Sequence, residues 1–533
     1  MSQMQPVLIA GQWKAAESSG AFHAENPMTK GPLPHPYPIS AWQDLDAALT
    51  AADQAFRALG KLPAEQIASF LSRFADLIDE NADSLCETAH AETGLPISPR
   101  LKDVELPRTS NQLRLAAAAA SERSWTQSTI DTKNNIRSYF APLGPVSVFG
   151  PNNFPFAFNS VAGGDFAAAI AAGNPVIAKA NPSCPGTTLA LAQLAFEAIR
   201  QTDLPPATVQ LFYHSNYDDG ARLVSDPRIG ATAYTGSRRA GLVLKEAADK
   251  HGKPIYLELS SVNPVVILPG AIQERGDQLV DEFVGSCLMG SGQFCTNPGL
   301  ILLIDDAASR KFIADAAAKF TAAPVGTLLT HGVETSLAVA IQTLQEAGAE
   351  QLAGGAIGAG AGYSHANTLL KVDAAKFLSD SETFQTEAFG NSSLIVVAQS
   401  LNEAAQVLDS LEGNLTGCVY SDSQGADDAA YDEIEPLLRS KVGRLLNDKM
   451  PTGVAVSPAM NHGGPFPATG HPGFTAVGIP AALIRFGRLQ CYDNVRLARL
   501  PAPLQNANPT GRTWRLIDGK WTTADIPAEA PPA

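Results

Sequence analysis

Between Pro145 and Lys250 short apolar runs alternate with helix-length segments, and this restricts the fold more than any other feature of the chain. Residues 146–149 are followed by a helix-like stretch at 166–172 and 175–178 by 187–201. Residues 208–212 precede a helix near 219–224, and 231–234 precede 237–250. A chain that returns through a helix after each strand builds a parallel, doubly wound sheet, and ligands such as nucleotides bind beyond the carboxyl ends of its strands. A second α/β region is expected from 263 to about 446, with helices at 277–289 and 307–322, strands at 300–304 and 393–397, and a Gly/Ala-rich loop at 354–362. Before these regions lies a helical layer (44–59, which Asp44 could cap, then 63–89 and 108–123, broken at 91–96). Residues 1–43 read as short strands and turns with a Pro-rich run at 32–38. An isolated strand at 136–140 and a strand-like tail after 487 complete the pattern.

At 533 residues the chain exceeds what one core can serve, and its apolar content of 45% supplies two. A formal charge of −15 disfavours nucleic acid and anionic membrane as partners, because both require a basic face. The most apolar run, 154–180, is interrupted by Asn159, Asp165, Asn174, Pro175 and three glycines, so it cannot span a bilayer. Residues 1–13 carry no signal-peptide pattern, and six cysteines without a CxxC pair suggest neither a disulfide framework nor a metal cluster. The expectation is a cytoplasmic protein with no metal.

Gly290-Ser-Gly-Gln-Phe-Cys-Thr-Asn-Pro-Gly299 is a bend that holds Cys295 in a crowded loop, where a thiolate could attack an electrophilic carbon. Most free cysteines are simply small buried hydrophobes. Asn153, in the turn after strand 146–149, could donate to an oxyanion. Lys179 closes a strand and suits a sugar hydroxyl or phosphate. Thr235-Gly236-Ser237 opens a helix, where backbone N–H groups favour a pyrophosphate. Glu258 sits in an apolar strand, a setting for a general base. GxGxxG, Walker, HExxH and GxSxG sequences are all absent.

These residues, in this order, resemble the aldehyde dehydrogenase superfamily along essentially the whole chain. The matching motifs are Asn153-Phe-Pro155, Lys179, Thr235-Gly-Ser237, Leu257-Glu-Leu259, Gly292-Gln-Phe-Cys295 and Glu387-Ala-Phe-Gly390. Gly236-Ser-Arg-Arg239, Ser260-Ser261 and His462-Gly-Gly-Pro-Phe-Pro467 look closest to the α-ketoglutaric semialdehyde (2,5-dioxopentanoate) dehydrogenase branch, which also resembles bacterial fatty aldehyde dehydrogenases. The resemblance implies two Rossmann-like domains, one for cofactor and one catalytic, and a β oligomerisation arm that makes a homodimer or homotetramer. It places the cofactor domain at 1–258 with 449–486, the catalytic domain at 259–448, and the arm at 128–143 and 487–533. It further implies NAD or NADP as cofactor and a small-molecule aldehyde as substrate. Cys295 becomes the nucleophile, Asn153 the oxyanion donor and Glu258 the base. Lys179, Gly236, Ser237, Glu387 and Phe389 would bind the cofactor.

Several positions depart from the family pattern. Pro182 replaces a Glu that strict NAD users often place three residues after the lysine, so NADP should be tolerated, with Arg238 or Arg239 at its phosphate. Asn391 and the Leu446-Asn-Asp-Lys-Met450 segment also differ, near the presumed substrate mouth. Arg114 is a candidate for binding a substrate carboxylate. The rival readings are a fatty or other aldehyde dehydrogenase, a cofactor-free Cys295-Glu258-Lys179 hydrolase, and a non-catalytic relative.

Overall fold

The computed structural model describes residues 3–527. Its first sheet has seven strands in the order Ile255–Glu258, Ala231–Thr235, Val146–Phe149, Val176–Lys179, Val209–Phe212, Val7–Ile9, Gln12–Lys14. The first five run parallel, and the N-terminal hairpin adds two antiparallel strands. The helices Trp42–Leu59, Ala64–Glu80, Ala82–Thr93 and Leu106–Glu122 bury Leu49, Phe70, Phe74, Leu85 and Leu113 in the same core as Val148, Ile177 and Leu211 of this sheet. Residues 474–486 return to that core through Phe474, Val477, Leu483 and Phe486.

The second sheet runs Glu350–Ala353, Thr368–Asp373, Ser392–Ala398, Leu300–Ile304, Pro264–Ile267, Asn414–Tyr420, Val442–Asn447, parallel except at the Glu350–Ala353 edge. Side chains alternate across a strand, and here both faces are buried. Val266, Leu302, Val396 and Val419 enter one core, while Val265, Ile301, Ile395 and Cys418 enter another. This two-sided burial is what double winding requires. A third sheet joins Gly487–Asp493, Ile136–Pro142, Thr129–Asp131, Arg515–Ile517 and Lys520–Thr522.

The expected α/β winding is present, and the differences have local causes. The Pro-rich run is a full strand, Gly31–Ser40, paired with Ser18–Asn26. Proline at every second position from Pro32 to Pro38 puts all its missing N–H groups on one edge, so the other edge can still pair. Asp44 does not cap its helix. It lies buried in the first turn after Ala41, accepting from the Glu17 N–H at 3.0 Å and facing Lys14 at 3.3 Å. The helix expected from 277 begins at Pro269 and kinks at Arg275. Among the described residues no helix is long and apolar enough to cross a membrane.

Candidate active site

Register in the first sheet sets Lys179 beside Phe149, Phe149 beside Tyr234, and Thr235 beside Glu258, so one row of side chains marks the carboxyl ends of the strands. Ser237 then caps the helix Arg238–Asp249 by accepting from the Ala240 N–H. At the facing edge of the second sheet, the chain leaves helix Pro269–Leu288 through Gly290, Ser291 and Gly292, all with φ between 56° and 67°. At Gly292 a side chain is excluded outright, since a Cβ there would sit 2.0 Å from the Gly390 carbonyl. The loop is then pinned from below. Asn263 donates through Nδ2 to the Cys295 and Asn297 carbonyls at 2.9 Å each, and Gln293 Oε1 accepts from the Leu329 N–H at 2.8 Å.

A cavity of about 350 Å³ lies between the two sheets' edges. It is lined by Asn153, Thr235, Gly236, Ser237, Glu258, Ser260, Cys295, Glu387 and Phe389, among others. Thus seven of the eight sequence-derived site residues, contributed by five separate segments, line a single space. Lys179 stands outside it, one strand beyond Phe149; burial pushes its ammonium down to about 8, and among the described residues that ammonium has no hydrogen bond or ion pair. Asn153 is buried, and its amide donates to the Gln293 carbonyl at 3.1 Å, which occupies one of its two N–H groups. Glu387 accepts from the Ser261 N–H at 3.2 Å, and burial pushes its carboxyl up to about 7.

The partner of Cys295 that sequence reasoning missed is His462. Its Nε2 lies 3.3 Å from Cys295 Sγ and 3.0 Å from Glu258 Oε1. His462 and Glu258 are almost wholly buried, at 1% and 2% side-chain exposure. Burial, together with the neighbouring Glu258 charge, pushes the Cys295 thiol well above its ordinary range, so a proton acceptor within reach matters. Residues 462–470 arrive here by pairing with the strand that carries Glu258. Glu258 and Thr469 form an antiparallel bridge, Leu259 N–H donates to the Ala468 carbonyl, and Gly470 N–H donates to the Leu257 carbonyl. The two glycines after His462 are steric necessities, because Cβ atoms there would stand 2.0 Å from the Phe474 carbonyl and 2.1 Å from the Asn414 carbonyl. His-Gly-Gly was the available signal, but it marked a branch of the family and no chemistry. The sulfur, nitrogen and oxygen of this trio all lie within 4.8 Å of one another, a donor set that could also hold a divalent ion.

Several expectations do not survive. Arg114 lies on the outer face of its helix, bound to Asp76 at 2.7 Å and Asp79 at 2.8 Å, and is no substrate anchor. Arg238 is engaged by Glu412 at 2.8 Å, which leaves the exposed Arg239 as the remaining candidate for a cofactor phosphate. Asn391 is buried, donating to the His365 carbonyl and Asn367 Oδ1, and Asp448 binds Arg275 and the Ser421 N–H; neither lines the cavity. The Cys295–Glu258 pair is completed by His462, not Lys179, so the hydrolase trio does not assemble.

Residues 13–436 match the Aldehyde dehydrogenase family. The chain is 39% identical over 530 residues to alpha-ketoglutaric semialdehyde dehydrogenase 2 of Azospirillum brasilense, covering 97% of this chain and 99% of that one. It is 35% identical over 526 residues to the alpha-ketoglutaric semialdehyde dehydrogenase of Acinetobacter baylyi, with 96% and 98% covered. Among solved structures, aldehyde dehydrogenase C of Pseudomonas syringae, complexed with NAD+ and octanal, superimposes with a TM-score of 0.78 at 22% identity, over 92% of this chain and 96% of that one. Lactaldehyde dehydrogenase of Escherichia coli gives 0.77 at 22%, over 92% and 98%. With the fold, the cavity and these likenesses in agreement, the chain belongs to the aldehyde dehydrogenase family and is an NAD(P)-dependent aldehyde-oxidising enzyme.

Proposed function

We propose that the substrate is a small oxo-acid semialdehyde such as 2,5-dioxopentanoate, oxidised to its carboxylate at Cys295. The observation that carries the reading is the run from Cys295 Sγ to His462 Nε2 to Glu258 Oε1 at the cavity wall. The substrate class is supported by the two semialdehyde dehydrogenases that match nearly the whole chain.

His462 takes the thiol proton, and the thiolate forms a carbon–sulfur bond to the aldehyde carbon while the carbonyl electrons move to oxygen. The resulting oxyanion is met by the second N–H of the Asn153 amide and by the Cys295 N–H. NAD(P), when bound, supplies the acceptor for the hydride that leaves this carbon. Glu258 then draws a proton from water, whose oxygen adds to the thioester carbon; the carbon–sulfur bond breaks and the carboxylate departs. Glu258 Oε2 has no hydrogen-bond partner among the described residues, which leaves it free for that proton.

The cavity suits the cofactor. Thr235 Oγ1 is buried without a partner among the described residues, the Ser237 helix terminus offers N–H groups, and Glu387 is a half-buried acceptor for ribose hydroxyls. Glu387 and Phe389 would hold the nicotinamide end, and Lys179 the adenosine ribose. The first sheet with residues 449–486 would form the cofactor domain, 259–448 the catalytic domain, and the third sheet a subunit-joining arm. The test is the near-ultraviolet absorbance of reduced nicotinamide after mixing enzyme, NAD or NADP, and a panel comprising 2,5-dioxopentanoate, succinate semialdehyde and long-chain aldehydes. Oxo-acids should give the highest kcat/KM, with none for Cys295→Ser; a fatty-aldehyde preference refutes the substrate class.

A further inference from the structure

We infer that Arg108 is the anchor for the carboxylate of the substrate, reaching it through a guanidinium held over Phe154 and Phe158 beside the nucleophile. The inference rests on the oxo-acid reading above and names the group that would enforce it.

Arg108 lies six residues before Arg114 on the helix Leu106–Glu122, half-buried and one turn before the buried Gln112. Its guanidinium carbon is 5.6 Å from the Phe154 ring centre and 5.3 Å from that of Phe158. Phe154 stands edge-on to Phe294, the residue before Cys295, at 5.3 Å. The Phe158 ring is 5.7 Å from the ring of His462. Through Phe154 and Phe158 the cation thus stands one aromatic layer from Phe294 and His462, the neighbours of the reacting sulfur, and close enough for the Cys295 charge to act on it.

The donors of Arg108 are not spent inside the protein. Among the described residues Nη2 is buried without a hydrogen-bond partner, and Nε reaches only Gln112 Oε1, at 3.4 Å. The nearest carboxylate, Glu105, is already satisfied, since Oε2 accepts from Arg100 and Oε1 from the Phe156 and Ala157 N–H groups. Arg444, the other guanidinium that senses the Cys295 charge, is tied to the Pro451 and Gly453 carbonyls. A half-buried guanidinium with an unpartnered, buried Nη2 is completed by an anion, and its fork matches a carboxylate in two bonds. Burial lowers the Arg108 affinity for its proton, and the nearby Glu105 and Cys295 charges oppose that.

The test compares 2,5-dioxopentanoate with pentanal, which has the same length and no carboxylate, in wild type, Arg108→Met and Arg108→Lys. The kcat/KM ratio of acid to neutral aldehyde should fall on the order of 100-fold in R108M, carried mainly by KM for the acid. R108K, which keeps the charge without the fork, should show a smaller fall. Should R108M not fold, the R108K ratio and its KM-against-kcat split decide the point. A wild-type preference that survives undiminished in the variants overturns the assignment of Arg108 alone. A wild-type enzyme with no preference for the acid overturns the substrate reading beneath it. Equal losses on both aldehydes mean a structural role and also overturn the inference.

Discussion

His462 Nε2 faces Cys295 Sγ at 3.3 Å and Glu258 Oε1 at 3.0 Å, so one ring nitrogen is shared by the nucleophile and the carboxyl base. A nitrogen carries at most one proton, so it cannot serve both groups as donor and acceptor in the same instant. Replacing His462 with Gln should slow thiolate formation. The expected loss in kcat/KM is on the order of 100-fold, with slower alkylation of Cys295 by iodoacetamide at pH 7. Alkylation at the wild-type rate would refute the role.

Glu258 acts after hydride departure in this scheme, so Glu258→Gln separates the two halves of the reaction. Rapid mixing should show a burst of reduced cofactor approaching one per active site. Steady turnover should then be lower by on the order of 100-fold. Loss of the burst along with turnover would place Glu258 before the thioester.

The Glu387 carboxyl, raised to about 7 by burial, is charged above that pH and neutral below it. Only the charged form accepts fully from two ribose hydroxyls. The KM for cofactor should therefore climb as pH falls from 8 to 6, and Glu387→Gln should flatten that dependence while raising KM throughout. A cofactor KM independent of pH in wild type contradicts the assignment.

Pro182 brings no negative charge to the neighbourhood of Lys179, and Arg238 is engaged by Glu412. NADP should be used at a kcat/KM comparable to NAD, and Arg239→Ala should weaken NADP several-fold more than NAD. Lys179 ionises at about 8, so the NADP advantage of its charge should fade as pH rises through that value. Strong selectivity for NAD in wild type would remove the basis of both expectations.

Gly487–Asp493 pairs on one side only, with Ile136–Pro142, and its Leu489 is 64% exposed. An open strand edge with an exposed apolar side chain can pair with another chain, and a second copy is the expected occupant here. Leu489→Arg should shift the particle mass seen by light scattering from a dimer or tetramer towards a monomer. An unchanged mass would place the contact elsewhere.

The apolar run Leu300–Ile304 was plain in the sequence, while the equally apolar but shorter Pro264–Ile267 was not. Asn414–Tyr420 and Val442–Asn447 were not, because Asn414, Gly417, Gly443 and Arg444 interrupt them; Asn414 accepts from the Val262 N–H, the glycines permit close approaches, and Arg444 holds the Pro451 and Gly453 carbonyls. The cysteine loop and the residues at strand ends could be read locally, since turn chemistry and strand termini leave local traces. His462 could not, because it lies 204 residues from Glu258 and meets it only through the antiparallel bridge to Thr469. Arg114 and Arg108 share a helix, and only packing tells the solvated guanidinium from the one turned inward.

The way residues 462–470 dock against the Glu258 strand has a bearing on biosynthesis. Domains generally fold as units, earliest-made first, while the ribosome is still working. The bend bearing Cys295 can thus take shape well before its imidazole neighbour leaves the exit tunnel. During that interval the sulfur lacks the imidazole neighbour, so the run from Cys295 through His462 to Glu258 is completed only when roughly the last seventh of the chain has joined the rest.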